Sequence, residues 1–499
     1  MNEWADKKVL VLGLGETGLS LVRWLVARGA HVRAADSRDL PPTFALLRVE
    51  LPQVEISCGV FRDEIFSDID LIAISPGIPL YEPCVARAIA RGIPVVGDIE
   101  LLAQQIKRSS LTLSPTLSDG TTSHLTRLSN NDSQVIGYPE GRGSEREKQP
   151  LILSITGSNG KTTVTSMVGA MCRAAGLDTE VAGNISPAVL DVLRQRNEQH
   201  PDVWVLELSS FQLETTSTLN ADAATVLNIS EDHLDRYSGM DTYAAAKARV
   251  FHGAKVQVLN RDDECSMGML LPGREHVSFG LSQPQREQDW GILRDGNELW
   301  LVQGQQRILN ANELQIAGLH NVANALDALA LCRAIGLPLA PLLDALRAFK
   351  GLPHRVEPVA EINGVIYYDD SKGTNVGATV AALQGLGRPA VLIAGGEGKE
   401  QDFAPLRPAV EQHARAVVLI GRDAGKIKIA LLGCGITVVH AHDMNDAVRQ
   451  SAELAQPGDA VLLSPACASF DMFHNYKHRA EIFVAAVQEI REEAACAPA

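Results

Sequence analysis

The chain has 499 residues, a hydrophobic content of 45% and a formal net charge of −15 at pH 7. At about 150 residues per domain, this length predicts about three folded units rather than one core. The acidic charge argues against a general nucleic-acid binder, because such proteins need a basic surface to displace counterions from phosphates. The eight cysteines form no C-x-x-C pair, and the first apolar segment is broken by glycines. We therefore expect a cytoplasmic protein with neither a signal peptide nor a membrane span.

The first predicted unit alternates strands with helices and carries a nucleotide-binding turn. Its first strand runs into Gly13-Leu14-Gly15-Glu16-Thr17-Gly18, and its next strand ends at Asp36. A G-x-G-x-x-G turn with an acid about twenty residues later is typical of a Rossmann-like site, although the motif alone is weak. We place this α/β domain at residues 1–104.

Residues 105–150 differ in composition from the rest of the chain. Ser, Thr, Asn and Gly predominate, and no apolar periodicity is present. Such a segment cannot bury enough apolar surface to offset its conformational entropy. The sequence predicts a flexible low-complexity insert, and a structured regulatory element is the alternative.

The central unit, residues 151–352, opens with a phosphate-binding loop between a strand and a helix. Glycines let the backbone N–H groups turn toward phosphate oxygens, a lysine adds positive charge, and the next hydroxyl can hold Mg²⁺. The spacing is shorter than G-x-x-x-x-G-K-[ST], because Ile155 stands where that pattern has glycine. A chance glycine-rich turn is disfavoured by the flanking strand and helix. The loop consists of Gly157, Ser158, Asn159, Gly160, Lys161, Thr162 and Thr163.

Two further apolar strands of the central unit end in polar residues. Glu207 ends one, and residues 228–233 follow the other. Because ligands lie beyond the carboxyl ends of parallel strands, we expect both near the phosphates. Thr162 and Glu207 offer the oxygen ligands that Mg²⁺ prefers. His233 suits a metal ligand, an acid–base group or a solvated loop residue, and nothing local distinguishes Lys247.

The third unit, residues 353–499, again alternates strands and helices. The predicted fold class is therefore α/β with three domains: an N-terminal Rossmann-like domain, a central P-loop ATPase domain with a parallel sheet, and a C-terminal Rossmann-like domain. Three strand ends carry residues 370–375, residues 395–399 and Ser469. Acids, hydroxyls and cations at one sheet edge can hold the ammonium and carboxylates of an amino acid. Taken singly, each is more often a plain turn.

Eight ordered motifs resemble those of the Mur ligases of peptidoglycan synthesis, and the resemblance covers the chain except residues 105–150 and the tail. The motifs are residues 157–163, 183–185, 207–213, 232–236, 320–324, 354–357, 370–375 and 464–469. The motifs at residues 207–213 and 464–469 resemble those of the family branch that adds D-glutamate rather than alanine or a diamino acid. The resemblance implies an ADP-forming ligase that joins D-glutamate to UDP-N-acetylmuramoyl-L-alanine through an acyl phosphate.

The resemblance also implies a role for each site residue. ATP would be bound by the seven loop residues together with Asn324, Arg355 and Asp370. Two Mg²⁺ ions would be held, one by Thr162 and Glu207 and the other by His233 and a carbamylated Lys247. Lys161, His233 and Lys247 would be catalytic. The UDP substrate would contact Gly15, Glu16, Thr17, Asp36, Ser37, Arg38, Ser75, Gly77 and Asn184. D-Glutamate would contact Lys372, Thr374, Lys399, Ser469 and Tyr476.

Two of these residues depart from the family pattern. Glu16 stands where relatives often have an apolar residue, and Tyr476 stands where phenylalanine is common. The resemblance further implies small-molecule partners, no nucleic acid and a monomer. A folylpolyglutamate-synthase-like ligase, a nicotinamide-dependent oxidoreductase and a non-catalytic nucleotide-binding scaffold are the alternatives. The N-terminal domain argues against the folylpolyglutamate-synthase-like ligase, and Lys161 argues against the oxidoreductase. The joint presence of Lys161, Glu207 and His233 argues against the non-catalytic scaffold.

Overall fold

The computed structural model describes residues 3–112, 149–316 and 318–496. Most of the predicted insert, residues 113–148, lies outside the described residues. The chain forms three α/β lobes, each built on a sheet of five or six strands. The expected fold class is thereby confirmed. Among the helices of the described ranges, none is long and apolar enough to cross a bilayer.

The N-terminal lobe is a parallel sheet in the order β3-β2-β1-β4-β5. Its strands are β1 Lys8–Leu12, β2 His31–Asp36, β3 Glu55–Cys58, β4 Leu71–Ile74 and β5 Val95–Val96. Its helices are α1 Glu16–Val26, α2 Phe44–Glu50, α3 Pro83–Ala90 and α4 Asp98–Thr112. Helix α4 passes through residue 104, where the sequence analysis ends the first domain, and the division into domains stays a prediction.

The central lobe combines a parallel sheet, β11-β10-β9-β6-β8-β7, with an antiparallel sheet, β12-β13-β14, that the sequence analysis did not predict. The parallel strands are β6 Leu151–Thr156, β7 Thr179–Gly183, β8 Val203–Glu207, β9 Ala223–Val226, β10 Val256–Asn260 and β11 Glu275–Phe279. The antiparallel strands are β12 Trp290–Asp295, β13 Glu298–Gln303 and β14 Gln306–Asn310. The helices are α5 Lys161–Ala174, α6 Val189–Gln195, α7 Ser210–Glu214, α8 Met240–Ala248, α9 Glu264–Gly268, α10 Leu319–Ala334 and α11 Leu339–Ala348.

The C-terminal lobe is a mixed sheet in the order β15-β16-β20-β17-β18-β19, in which β15 alone is antiparallel to its neighbour. The strands are β15 Glu357–Ile362, β16 Val365–Asp369, β17 Ala390–Gly395, β18 Ala414–Ile420, β19 Thr437–His440 and β20 Ala460–Leu463. The helices are α12 Val376–Gly385, α13 Leu406–His413, α14 Ala424–Ala430, α15 Met444–Leu454 and α16 Tyr476–Cys496.

Helices cover both faces of each large sheet because the parallel strands are apolar on both sides. In α5, buried apolar residues recur at Val164, Val168 and Met171, which is the spacing of one helical face. The N-terminal and central lobes share one apolar core, in which α1 and α4 pack against α6. Their relative position is therefore set by apolar burial as well as by polar contacts.

The C-terminal lobe meets the central lobe through contacts at the phosphate loop and at α10. Asn375 Nδ2 donates to Asn159 Oδ1 at 3.0 Å. The half-buried ring of His320 lies against the backbone of α12, and a Cβ added at Gly385 would lie 2.8 Å from that ring. A side chain at residue 385 would therefore require the His320 ring to move.

Candidate active site

The proposed site residues of the central and C-terminal lobes converge on one cleft. The carboxyl ends of β6, β8 and β9 face the carboxyl ends of β16 and β17 across a cavity of about 800 Å³. This is the edge at which open parallel sheets bind ligands. The expected residues that line this cavity are Ser158, Asn159, Gly160, Lys161, Thr162, Asn184, Glu207, His233, Lys247, Arg355, Lys372, Thr374, Lys399 and Tyr476.

The phosphate loop adopts a backbone that favours glycine at two positions. Gly157 has φ +149° and Gly160 has φ +85°. A Cβ at Gly160 would lie 2.7 Å from Asn324 Oδ1, so bulk is excluded as well. Asn228, at the end of β9, accepts the backbone N–H of Ser158 at its carbonyl and that of Asn159 at its side chain. Hydrogen bonds to Asn228, at the end of the neighbouring strand β9, thus fix the position of the phosphate loop.

Lys161 is the first residue of α5 and lies against the loop that precedes it. Its Nζ donates to the carbonyls of Gly157 at 2.7 Å and Ser158 at 2.9 Å. Burial lowers the pKa of Lys161, and the negative charges of Glu207 and Asp232 partly oppose that shift. The ammonium therefore stands at the mouth of the loop, where a phosphate group would compensate its charge.

Glu207 presents an unsatisfied oxygen at the carboxyl end of β8. Its Oε1 accepts a hydrogen bond of 2.8 Å from Asn184 Nδ2. Its Oε2 is buried and has no hydrogen-bond partner within the described part of the chain. A buried carboxylate oxygen normally has a partner, and a divalent cation is a chemically suitable one.

Lys247 is nearly fully buried, with 2% of its surface exposed. Its Nζ donates to the Gly157 carbonyl at 2.9 Å and lies 4.7 Å from the centre of the Tyr243 ring. Burial and, next, the charge of Lys161 lower the pKa of Lys247 well below its usual value. The amine is therefore readily neutral, which is the nucleophilic form of lysine.

His233 lines the same cavity as Lys247 and has a left-handed backbone conformation with φ +56°. Its ring packs 4.8 Å from the Phe211 ring, and its Nε2 is 3.6 Å from an Asp232 carboxylate oxygen. Burial lowers the pKa of His233, while Asp232 opposes the shift. A largely neutral imidazole can act as a metal ligand.

A second cavity, of about 360 Å³, adjoins the cleft on the other side of the phosphate loop. Asn324, Arg355 and Asp370 line it, as do Gly160 and Thr163. Asp370 accepts a hydrogen bond of 2.6 Å from Ser464 Oγ, and burial raises its pKa to about 7. The three residues expected to bind ATP outside the loop therefore share one pocket.

Four of the five residues expected to bind the amino acid lie together. Lys372 Nζ is 4.1 Å from the centre of the Tyr476 ring, and Thr374 and Lys399 line the same wall. Burial, then the charges of Arg355 and Lys161, lower the pKa of Lys372 to about 8. Ser469 is buried and is not among the residues that line the cavity.

The residues expected to bind the UDP substrate lie at the carboxyl edge of the N-terminal sheet. Asp36 is buried and accepts the Leu14 N–H at 2.6 Å together with two hydrogen bonds from the Arg38 guanidinium. Its carboxylate therefore stabilises the turn. Ser75 Oγ donates to the Gly13 carbonyl at 2.7 Å, which fixes the same turn from β4.

The other residues expected to bind the UDP substrate lie either in a small cavity or on the exposed surface. Glu16, Thr17 and Asn184 line a cavity of about 90 Å³ between the N-terminal and central lobes. The Glu16 carboxylate accepts a hydrogen bond from Ser186 Oγ across this boundary. Ser37, Arg38 and Gly77 are exposed. Gly15 has no atom within 4 Å of an added Cβ, so its backbone faces open space.

Several residues that shape the site were not assigned from the sequence. Arg479 is fully buried in α16 and donates to the Ser371 Oγ, the Ser371 carbonyl and the Cys467 carbonyl, so it ties together two loops of the C-terminal lobe. Arg236 donates to the Pro76 carbonyl at 2.6 Å and joins the N-terminal lobe to the central one. Helical residues such as Arg479 carry no local sequence signal of these distant partners.

Family models match three successive parts of the chain. The Mur ligase MurD-like N-terminal domain matches residues 7–97, the Mur ligase middle domain matches residues 155–332, and the Mur ligase glutamate ligase domain matches residues 354–467. Together these matches include the three large sheets except the first four residues of β6.

Similar proteins include two named UDP-N-acetylmuramoylalanine–D-glutamate ligase. The one from Nitrosospira multiformis is 56% identical over 489 residues, covering 97% of this chain and 96% of the relative. The one from Nitrosomonas eutropha is 52% identical and covers 98% of each chain. Among solved structures, a UDP-N-acetylmuramate-alanine ligase from Thermotoga maritima has a TM-score of 0.57 at 18% identity, covering 97% of this chain and 99% of that one. MurF from Acinetobacter baumannii has a TM-score of 0.58 at 16% identity, covering 98% and 92%.

Proposed function

This chain belongs to the Mur ligase family, and we propose that it joins D-glutamate to UDP-N-acetylmuramoyl-L-alanine in peptidoglycan precursor synthesis, with conversion of ATP to ADP and phosphate. One observation carries the proposal. A phosphate loop, a buried carboxylate with an unsatisfied oxygen and a cationic amino-acid pocket open into a single cleft. An acyl-phosphate ligase needs these three elements together.

The donor set at the phosphate loop suits Mg²⁺. The Thr162 hydroxyl and the unsatisfied Glu207 Oε2 are oxygen ligands of the kind this ion takes. We infer that they hold the ion that accompanies ATP. When bound, Mg²⁺ neutralises charge that develops on the transferring phosphoryl group. Lys161 supplies a further fixed charge at the mouth of the loop.

We propose a second ion held by His233 and a carbamylated Lys247. A neutral amine can add to carbon dioxide, and burial favours the neutral amine of Lys247. The resulting carbamate would exchange a buried cation for an oxygen ligand. It would also remove the repulsion between Lys247 and Lys161.

The proposed reaction divides between the two faces of the cleft. Lys161 and Arg355 orient the phosphates of ATP for attack by the acceptor's carboxylate, and an acyl phosphate forms. Lys372, Thr374 and Lys399 hold the carboxylates of D-glutamate, whose amine then attacks the acyl carbon. Tyr476 packs against Lys372 and closes the pocket.

The UDP portion of the acceptor is assigned to the turn after β1. Glu16 and Thr17 line the small cavity that Asn184 also lines, and Gly15 directly precedes them in the turn. Asn184 contributes to both cavities and hydrogen-bonds Glu207, so it links the acceptor to the metal ligand. Ser37, Arg38, Ser75 and Gly77 border the same edge, and Asp36 stabilises the turn from within. Ser469, in the C-terminal lobe, supports the loop after β20, where its carbonyl accepts the Phe473 N–H.

One chain contributes every residue of the proposed site, and we propose a monomer on that basis. We propose a cytoplasmic location because the proposed substrates are nucleotide-linked precursors and ATP. A folylpolyglutamate-synthase-like activity is disfavoured by the N-terminal lobe, which matches the MurD-like domain. A nicotinamide-dependent oxidoreductase is disfavoured because hydride transfer would not require Lys161 or Glu207.

The proposal is tested by ADP release that depends on UDP-N-acetylmuramoyl-L-alanine and D-glutamate. We expect Lys161→Ala to abolish this release without changing the melting temperature greatly, because the side chain bonds only to loop carbonyls. The matched variant Lys428→Ala, at an exposed lysine of α14, should retain wild-type turnover. Full turnover by Lys161→Ala would refute the assignment.

A further inference from the structure

His354 stands at the start of the C-terminal lobe in a strained backbone conformation. Its φ is +63°, and that of Val356, two residues later, is +52°. Left-handed conformations at residues other than glycine cost about 1–3 kcal/mol and persist where the surroundings enforce them, often at functional sites. Here the His354 N–H donates to Glu357 Oε2 at 2.8 Å, which holds the turn.

A buried carboxylate fixes the imidazole of His354. Its Nδ1 lies 2.7 Å from Oδ2 of Asp369, a residue that is 1% exposed at the end of β16. The other oxygen of Asp369 accepts the Ser371 N–H at 2.9 Å. Since an ionised carboxylate only accepts hydrogen bonds, Nδ1 carries the proton and Nε2 retains its lone pair in the neutral ring. The acid therefore selects the tautomer, as in histidine–carboxylate pairs of hydrolases.

The second ring nitrogen of His354 is available to a ligand. Within the described ranges, Nε2 has no hydrogen-bond partner and is not among the buried unsatisfied atoms. His354 lines the 800 Å³ cleft, and its ring centre is 6.0 Å from that of Tyr476. It thus borders the pocket proposed for D-glutamate.

Amide formation requires a base close to the amine of the incoming amino acid. The amine enters as an ammonium, and only its neutral form attacks a carbonyl carbon. The cations Lys372 and Lys399 are occupied by the carboxylates of the amino acid in the proposed function. His233 is assigned to a metal ion. Among the histidines that line the cleft, His354 remains, with a carboxylate behind it to stabilise its protonated form.

We propose that His354 is the general base that accepts a proton from the incoming amino acid, and that Asp369 is its positioning residue. This inference rests on the proposed function. An N–H bond of the ammonium breaks as an Nε2–H bond forms on His354. The neutral nitrogen then forms a bond to the acyl carbon. The second proton leaves the nitrogen for solvent as the C–O bond to phosphate breaks, and the imidazolium returns its proton to solvent.

The base is tested by comparing two nucleophiles in His354→Gln. Hydroxylamine is uncharged at pH 8 and needs no base, so its capture of the acyl phosphate as a hydroxamate measures every earlier step. We expect His354→Gln to lower D-glutamate-dependent amide formation by about 10²-fold or more and to leave hydroxamate formation unchanged. The exposed His440, changed to Gln in a control variant, should alter neither product.

Two further variants keep the test decisive if His354→Gln folds poorly. His354→Gly suits the left-handed backbone and leaves room for added imidazole, which should restore amide formation without altering hydroxamate formation. Asp369→Asn should lower amide formation more than hydroxamate formation, because it weakens the stabilisation of the imidazolium. Equal losses with both nucleophiles, or no loss with D-glutamate, would overturn the role of His354. Failure of the wild-type protein to form any hydroxamate would instead overturn the proposed function.

Discussion

Arg355 of the C-terminal lobe donates a hydrogen bond of 2.6 Å from Nη2 to the Thr162 hydroxyl of the central lobe. Thr162 is the first hydroxyl after Lys161 and the one proposed to bind Mg²⁺. Arg355 also lines both the cleft and the adjoining nucleotide pocket. A single guanidinium therefore joins the lobe proposed to hold the amino acid to the loop proposed to hold the phosphates.

Replacing Arg355 with Met should weaken this connection and the use of ATP together. Hydrogen bonds to charged groups contribute about 1.5–3 kcal/mol, which corresponds to a loss of about 10- to 100-fold in kcat/KM for ATP. Steady-state kinetics with ATP varied would measure the loss. Arg407→Met, which removes an exposed ion pair with Glu411, is the matched control and should have wild-type kinetics. An unchanged kcat/KM in Arg355→Met would contradict the role of Arg355.

Glu207→Gln tests the proposed magnesium ligand. The substituted amide retains an oxygen for the Asn184 hydrogen bond but lacks the negative charge that attracts the cation. We expect a higher Mg²⁺ concentration for half-maximal turnover and a lower maximal rate, and chelation should abolish turnover in the wild-type protein. Titration of activity with Mg²⁺ provides the measurement, with the exposed Glu298→Gln as control. Identical titration curves for Glu207→Gln and the wild type would exclude Glu207 as a ligand.

Carbamylation of Lys247 predicts a labelled product. Protein equilibrated with ¹³C-bicarbonate should show one carbamate resonance by ¹³C NMR that is missing in Lys247→Arg, since guanidinium does not add to carbon dioxide at neutral pH. Lys255→Arg changes an exposed lysine and should keep the resonance. A resonance that survives in Lys247→Arg, or its absence from the wild type, would count against the carbamate.

Asp327 is expected to make stability depend on pH. Its carboxyl group is fully buried in α10, it accepts one hydrogen bond of 2.8 Å from Thr225, and burial raises its pKa to about 8. The folded state thus binds a proton that the unfolded state releases above about pH 4, so stability falls as pH rises from about 4 to about 8, by about 1.4 kcal/mol per unit. Below about pH 4 the carboxyl group is protonated in both the folded and the unfolded state, so it does not make stability depend on pH.

Asp327→Asn should therefore remove part of the wild-type decrease in melting temperature between pH 5 and pH 8. The amide keeps an acceptor for Thr225 and never ionises. Differential scanning calorimetry at the two pH values measures the difference, and Asp344→Asn, at an exposed residue, should behave as the wild type. The account of Asp327 fails if Asp327→Asn shows the full wild-type decrease.

The sequence was sufficient for the fold class and for many of the residues that line the cleft, because both follow from local patterns. The phosphate loop is contiguous, and polar residues such as Glu207 directly follow apolar strands. Chain order does not encode which distant residues meet. Asn228 holds the phosphate loop, and Arg479 braces the loops of the C-terminal lobe, through contacts between segments far apart in the chain.

Residues that appear equivalent in the sequence also differ in how deeply the structure buries them. Lys247 lies in an alanine-rich helical stretch that reads as solvated surface, yet it is buried against Tyr243 and the phosphate loop. Ser469 stands at a strand end like Lys399 but lies inside the lobe rather than on the cavity wall. The antiparallel sheet from β12 to β14 was missed because its strands do not alternate between buried and exposed residues, although Asp295-Gly296, where β12 turns into β13, is a typical hairpin signal.

Lys399 should determine the affinity for the amino acid rather than for ATP. Lys399 lines the same cavity as Lys372 and Tyr476, whereas Asn324 and Asp370, which are proposed to bind ATP, line the 360 Å³ cavity on the other side of the phosphate loop. We expect Lys399→Met to raise the KM for D-glutamate by about tenfold or more, as loss of a charge-assisted contact does. The KM for ATP should remain close to the wild-type value. Equal increases in both KM values would argue against this position of the amino acid.

The central claim is tested most directly by phosphate release from ATP, measured with UDP-N-acetylmuramoyl-L-alanine and a panel of amino acids. D-Glutamate alone among L- and D-glutamate, L-alanine, L-lysine and meso-diaminopimelate should support rapid release, and omission of the UDP acceptor should abolish it. Rapid release with a different amino acid, or with D-glutamate in the absence of the acceptor, would contradict the account.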